Sequence, residues 1–191
     1  AQPEFLEASE YYLAHIAFAE DRLTTALEAF EALSAIDAFK DAVPLYIGQI
    51  LYRLQRFDEF AARAPEWLSE ERDLAKGDRN ELTRMLGEVL FHLGDCTSAS
   101  PYLESAWSNA DPQERTPGFS YIVGTCRLAN GNPGTAITAL MRATGGGSAL
   151  DQYATHAMGR AYLELDEKPK AQSAFEKAAT MDHDLEVRED A

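Results

Sequence analysis

The sequence predicts an all-α fold, a solenoid of about five helix-turn-helix repeats. Three observations carry that prediction. A large-small residue pair recurs as Leu13-Ala14, Ile47-Gly48, Leu86-Gly87, Val123-Gly124 and Met158-Gly159, at spacings of 34, 39, 37 and 35 residues. A period in this range marks stacked helical repeats. Thirteen residues after each first anchor come Ala26, Phe60, Ala99, Ala136 and Ala171, and four residues later Phe30, Ala64, Leu103, Leu140 and Phe175. The third is the clearest unit, Thr155 to Ala178, where Met158, Gly159 and Tyr162 share one helix face and Ala171, Phe175 and Ala178 share another, each at helical spacing.

Taken in order, the repeats cover approximately 7–40, 41–74, 80–113, 117–150 and 152–185 of a single domain spanning 1–191, with 186–191 the start of a truncated next helix. Repeat one places helices near Leu6 to Glu20 and Leu23 to Ile36. In repeat two Pro44 is tolerated in a first helical turn, where its missing N–H has no intrahelical use. Pro65, inside the second helix, is expected to bend or break it. The polar stretch Glu70 to Asp73, with Lys76-Gly77-Asp78, reads as a helix tail and loop. Repeat three turns at Gly94-Asp95, with Asp95 a candidate N-cap, and Pro101 is a blemish in its second helix. Repeat four turns at Asn130-Gly131-Asn132-Pro133, an N-cap followed by Pro at the first helical position. Gly145-Gly146-Gly147 ends that repeat and Ser148 is a candidate cap for the next. A lone helix pair cannot bury its apolar face, so the Ala171-Phe175-Ala178 face is expected to be bare unless another chain or further repeats cover it.

Composition narrows the function. With 17 basic against 32 acidic residues the net charge is −15, which argues against nucleic acid, since phosphate contacts need clustered Lys and Arg, and equally against anionic membrane surfaces. No apolar run approaches the roughly 18 residues of a membrane span. The Ala1-Gln2-Pro3 start, without Met, reads as a processed or excised end. Cys96 and Cys126 are too few for a disulfide framework and lack CxxC spacing; they are expected to be small packing residues.

The pattern resembles the tetratricopeptide repeat (TPR) family, carried best by Ile47-Gly48-Leu51-Tyr52, Leu86-Gly87-Leu90-Phe91-Gly94-Asp95 and Met158-Gly159-Tyr162-Ala171-Phe175-Ala178. Departures are Ala17 and Arg127 in place of the first-helix aromatic, the exchange of small and large at Phe60 and Ala64, and the missing Pro that ends most family repeats. The runs YYLAHIAFAE, VPLYIGQILYRLQRFDEF and LEVREDA are also similar to long TPR proteins of Gram-negative bacterial envelopes. The resemblance implies a right-handed α-α superhelix whose first helices line a concave groove for a peptide segment of a partner protein, and a periplasmic or envelope location, with the cytoplasm as the alternative.

The positions implied to face that groove are Tyr11, His15, Gln49, Tyr52, Arg53, Arg84, Glu88, Tyr121, Thr125, Tyr153, His156 and Arg160. Aromatic and Arg side chains are common binding hot spots, and Arg53, Arg84 and Arg160 suit an acidic segment or a C-terminal carboxylate. The same arginines equally suit pairing with neighbours such as Glu88 and Glu164. The alternative function is structural, a module stacking end to end or self-associating through the Phe175 face. No catalytic, cofactor or metal site is expected: His15, His92, His156 and His183 are scattered, no HExxH, GxSxG, P-loop or GxGxxG occurs, and Gly145 to Gly147 lacks the preceding strand of a phosphate loop.

Overall fold

The computed structural model describes residues 3–184. It contains ten α-helices among these residues and no strand: α1 (Pro3–Ala19), α2 (Leu23–Ser34), α3 (Pro44–Arg53), α4 (Phe57–Trp67), α5 (Lys76–His92), α6 (Cys96–Asn109), α7 (Pro117–Ala129), α8 (Pro133–Leu140), α9 (Ala149–Glu164) and α10 (Lys168–Ala179). They succeed one another as helix pairs in the order expected of a TPR-type solenoid. The expected truncated helix at 186–191 lies outside the described residues. Contacts divide the chain into two compact units, Ala1–Leu93 and Gly94–Ala191.

The turns explain the period. Asp21, Gln55, Gly94, Gly131 and Asp166 all adopt positive φ, between 56° and 80°, and each stands eight residues after its first anchor, so the turn repeats at the anchor spacing. Such a left-handed residue closes a helix by turning the next N–H back onto a carbonyl of the last turn. Those bonds are Arg22 N to Ala17 O, Arg56 N to Leu51 O, Asn132 N to Arg127 O and Glu167 N to Tyr162 O, each 2.9 Å. Asp95 caps α6 as expected, its carboxylate accepting from Ser98 N at 2.9 Å. Asn132 and Ser148 occupy cap positions but make no side-chain cap bond. Asp151 instead holds the glycine loop, its Oδ2 accepting from Gly145 N at 2.8 Å and Gly147 N at 3.2 Å.

In unit 1 the large-small pair sets how closely helices approach. A Cβ at Gly48 would lie 2.9 Å from both the Phe60 ring and Leu82; the absent methyl lets α4 lay Phe60 against α3. Phe30, Ile47, Ile50, Leu51, Phe60 and Leu82 are fully buried there. Here α5 packs on both α3 and α4. Unit 2 repeats the device at Gly159, where a Cβ would meet the Phe175 ring at 2.6 Å. Its core is leaner, with Leu128, Ala136, Leu140, Ala154, Ala157 and Ala161 in one cluster where α9 meets α7 and α8.

Several expectations are corrected. Pro65 does not break α4, which runs on to Trp67; so near the C-terminal end, the ring forfeits a single bond. Pro101 likewise sits inside an intact α6. Lys76-Gly77-Asp78 is the first turn of α5 rather than loop. Arg79 anchors it by donating to the carbonyls of Leu68 at 2.6 Å, Arg72 at 2.8 Å and Ser69 at 3.2 Å. The Ala171-Phe175-Ala178 face is not bare: both alanines are buried and Phe175 is half-buried over Gly159. Gln152 ties down the chain just after α10, donating to Met181 O and Asp184 O at 3.0 Å while its Oε1 accepts from Asp184 N at 2.8 Å. Cys96 and Cys126 are not free packing residues but a disulfide, joining the first residue of α6 to α7 with Cα atoms 4.9 Å apart.

Candidate functional site

Five of the expected groove residues come together in unit 1. Gln49, Tyr52 and Arg53 on α3, and Arg84 and Glu88 on α5, line a cavity of about 170 Å³ with Phe18, Glu81 and Met85. Gln49, Tyr52 and Arg53 fall within one turn and a step of α3. Glu81, Arg84, Met85 and Glu88 follow helical spacing on α5, so the two helices each offer one face to the same space. Glu81 and Met85 are missing from the sequence-derived set, although their spacing from Arg84 and Glu88 is a signal that points to them.

The polar wall is a network. Arg84 donates from Nε to Glu81 Oε2 at 3.0 Å and from Nη2 to Glu81 Oε1 at 2.6 Å, and its Nη1 pairs with Glu88. Tyr52 donates its hydroxyl to Glu88 Oε2 at 3.2 Å. Glu88 is only 6% exposed. Burial raises its proton affinity above the ordinary carboxylate value, against the opposing pull of Arg84 and Tyr52. Burial beside Glu88 pushes the Tyr52 hydroxyl up to about 12. For Arg84 burial works against the charge, but the two carboxylates outweigh it and raise its pKa. Arg53 pairs with Asp21 at 2.5 Å and lies 5.5 Å over the Phe18 ring. Arg53 and Arg84 are therefore paired internally, the second of the two readings left open by their sequence.

The Gln49 carboxamide is different, since it makes no hydrogen bond among the described residues while lining the cavity. Phe18 and Met85 add apolar surface beside it. The site thus joins an apolar recess to an amide that can both donate and accept.

Tyr11 and His15 belong elsewhere in unit 1. They sit in an aromatic cluster, the His15 ring 4.4 Å from Tyr11 and from Tyr46 and 5.2 Å from Phe30, with Tyr11 stacked on Phe39 at 5.2 Å. Burial lowers the His15 pKa, and its Nε2 is buried without a partner among the described residues.

In unit 2, Tyr121 packs on the alanine-rich cluster with its ring 6.4 Å from Tyr153, whose hydroxyl bonds Asp184. The Thr125 hydroxyl is buried without a partner among the described residues. His156 lies 5.3 Å from the Phe175 ring and Arg160 is exposed. A recess in this unit, lined by Thr155, Met158, Tyr162 and Lys170 among others, includes none of these five. Among the described residues there is no group of three or more His, Cys, Asp or Glu placed to hold a metal ion, and no helix is long and apolar enough to cross a membrane.

No protein-family profile and no curated protein sequence matches the chain. Solved structures do match its fold. It is similar to YrrB, described as a TPR protein with an unusual peptide-binding site, at TM-score 0.74 and 20% identity over 95% of this chain and 89% of that one. A MamA point mutant matches at TM-score 0.73 and 18% identity over 94% and 99% of the two chains. MamA from Desulfovibrio magneticus RS-1 matches at 0.66 and 14%, over 92% and 94%. At these identities the likeness establishes the fold, an all-helical TPR-type solenoid.

Proposed function

We propose that this chain is a protein-interaction scaffold, part of a longer TPR protein, that holds a peptide segment of a partner with one apolar side chain seated in the unit 1 cavity. The observation that carries the reading is the Gln49 carboxamide, which lines the cavity with Phe18 and Met85 and makes no hydrogen bond among the described residues. A peptide backbone offers a donor and an acceptor at every residue, which an otherwise unengaged carboxamide complements. The Arg84-Glu88-Tyr52 network works as a rigid wall, and rigidity lowers the ordering cost of binding. The peptide-binding site ascribed to YrrB supports the same use of the fold by analogy.

Arg53 and Arg84 are committed to Asp21, Glu81 and Glu88, so in unit 1 they act as part of the cavity wall; exposed Arg160, in unit 2, is a separate candidate for an acidic partner. The Cys96–Cys126 bond supports residence in an oxidising compartment such as the periplasm or cell envelope. The chain acts by binding, without catalysis or cofactor, and 1–191 works as one module.

Random dodecapeptides selected by phage display on the 191-residue chain supply ligands for the test. Their affinity, read by fluorescence polarisation, should fall about tenfold, or about 1.4 kcal/mol, in Gln49→Ala and in Phe18→Ala, with the helical signal unchanged. Undiminished affinity in both variants would remove the cavity as the site. Arg84→Glu is a poor probe, because it strands buried Glu88 beside two further carboxylates.

A further inference from the structure

The walls of the unit 1 cavity carry more negative charge than positive. Arg84 directs Nε and Nη2 to Glu81 and Nη1 to Glu88, so one guanidinium answers two carboxylates. Both Glu88 oxygens accept, one from Arg84 and one from Tyr52, as an ionised carboxylate does. Arg53, the other cation of the wall, is matched by Asp21. One turn before Glu81, on the same side of α5, stands Asp78. Its side chain makes no ion pair or hydrogen bond among the described residues. Burial, then the neighbouring Tyr46 and Tyr12 and the Asp78 carboxylate, raise the Tyr11 pKa, which sets that charge beside the aromatic cluster. Every arginine of unit 1 is engaged among the described residues, Arg79 by carbonyls and the others by carboxylates. Acidic residues outnumber basic ones two to one in this unit. An acidic ligand at the cavity meets repulsion and no open cation, and a basic one meets the opposite.

We propose that the segment held in the unit 1 cavity is basic: an extended stretch with one apolar residue in the cavity and a Lys or Arg two positions away, its cationic end resting on Glu81. This rests on the peptide-binding reading of the cavity and adds the chemistry of the partner. Glu81 is the carboxylate able to read that charge. It lines the cavity, its side chain is 36% exposed, and Arg84 occupies only two of the roughly four acceptor sites of a carboxylate. The spacing also fits. Side chains on one side of an extended peptide are about 6.6 Å apart, and the step along α5 from Met85 in the cavity wall back to Glu81 is about 6 Å. A second basic residue two positions further on then falls toward Asp78. An acidic residue in the same place is set against Glu81 with Arg84 already spent, and juxtaposed like charges discriminate against the wrong partner. Arg53 and Arg84, which sequence alone offered as hands for an acidic ligand, thereby hold the carboxylates in place for a basic one.

Dodecapeptides selected on the 191-residue chain are the probe. Those that bind should be enriched in Lys and Arg two residues from an apolar residue, and their affinity should fall roughly tenfold from about 0.05 M to about 0.5 M NaCl, as salt shortens the reach of charge. Replacing the basic residue by Gln should cost up to about fivefold against the native chain, the span of a partly exposed ion pair, and almost nothing against Glu81→Gln. That coupling separates a direct contact from a variant that merely loosens the wall. Asp78→Asn, outside the Arg84 network, should flatten the salt dependence with the helical signal unchanged. Peptides that move the Met85 methyl NMR signal yet are neutral or acidic overturn the basic partner and leave the cavity standing, and so does a cycle without coupling. Peptides that bind while Met85 stays still and Gln49→Ala has no effect overturn the cavity and the basic partner together.

Discussion

Opening the Cys96–Cys126 bond should destabilise unit 2 by several kcal/mol. The bond joins residues 30 apart, and the chain-entropy relation for a loop of that length gives about 3.7 kcal/mol at 25 °C. Both ends are well placed to hold the constraint, since Cys126 is buried in α7 and Cys96 opens α6, whose next contact is α7 itself. The chain has two tryptophans, Trp67 in unit 1 and Trp107 in unit 2, so Trp67→Phe leaves Trp107 fluorescence as a reporter of the second unit. Urea unfolding of that variant is compared oxidised and after reduction with a phosphine. With a urea slope of about 1–3 kcal/mol/M, the reduced midpoint should fall by roughly 1–4 M. A shift under about 0.3 M would mean that the loop is already held in the unfolded chain or that the bond constrains nothing, and the reasoning would fail.

Two further perturbations read the packing and the buried carboxylate. Gly159→Ala drives a methyl into the Phe175 ring at 2.6 Å and should cost about 1–3 kcal/mol in urea unfolding; Gly134→Ala, with nothing within 4 Å, should be neutral or stabilising by up to about 1 kcal/mol. Equal effects at the two sites would contradict the close-approach account. Glu88 binds its proton more tightly folded than unfolded, so its contribution to stability is largest at low pH and is lost as pH rises from the ordinary carboxylate value through the raised native one. A tenfold difference in proton affinity between the two states amounts to about 1.4 kcal/mol. Stability measured from pH 4 to pH 8 should therefore lose this slope in Glu88→Gln, while an unchanged profile would mean that Glu88 does not titrate differently on folding.

Much of the fold was legible because it is local and repeated. The anchors mark where a helix comes close, and the turn residue follows each by eight positions whether it is Gly94, Gly131 or the less obvious Asp21, Gln55 and Asp166. What was not legible depends on position within an element or on distant partners. Proline breaks a helix in the middle and not in the last turn, and that Pro65 lies in the last turn of α4 depends on a boundary that periodicity does not fix. Lys76-Gly77-Asp78 has loop composition, yet the carbonyls gathered by Arg79 fix the helix start. The disulfide requires Cα atoms 4.9 Å apart across 30 residues, which no spacing rule supplies. At the candidate site, family register names Gln49, Tyr52, Arg53, Arg84 and Glu88, which share one cavity, but also Tyr11 and His15, which belong to an aromatic cluster. The commitment of Arg53 and Arg84 to carboxylates depends on side-chain placement across separate helices and turns, and sequence leaves it as one of two readings.

Methyl NMR of the peptide complex tests the central claim most directly. The chain has four methionines, and only Met85 lines the unit 1 cavity, so [13C]methyl-methionine labelling gives a small set of signals with one reporter at the site. Titration with a selected dodecapeptide should move the Met85 methyl resonance in proportion to occupancy and leave Met141, Met158 and Met181 nearly still. A saturating titration in which Met85 does not move would place the peptide outside the cavity and contradict the account.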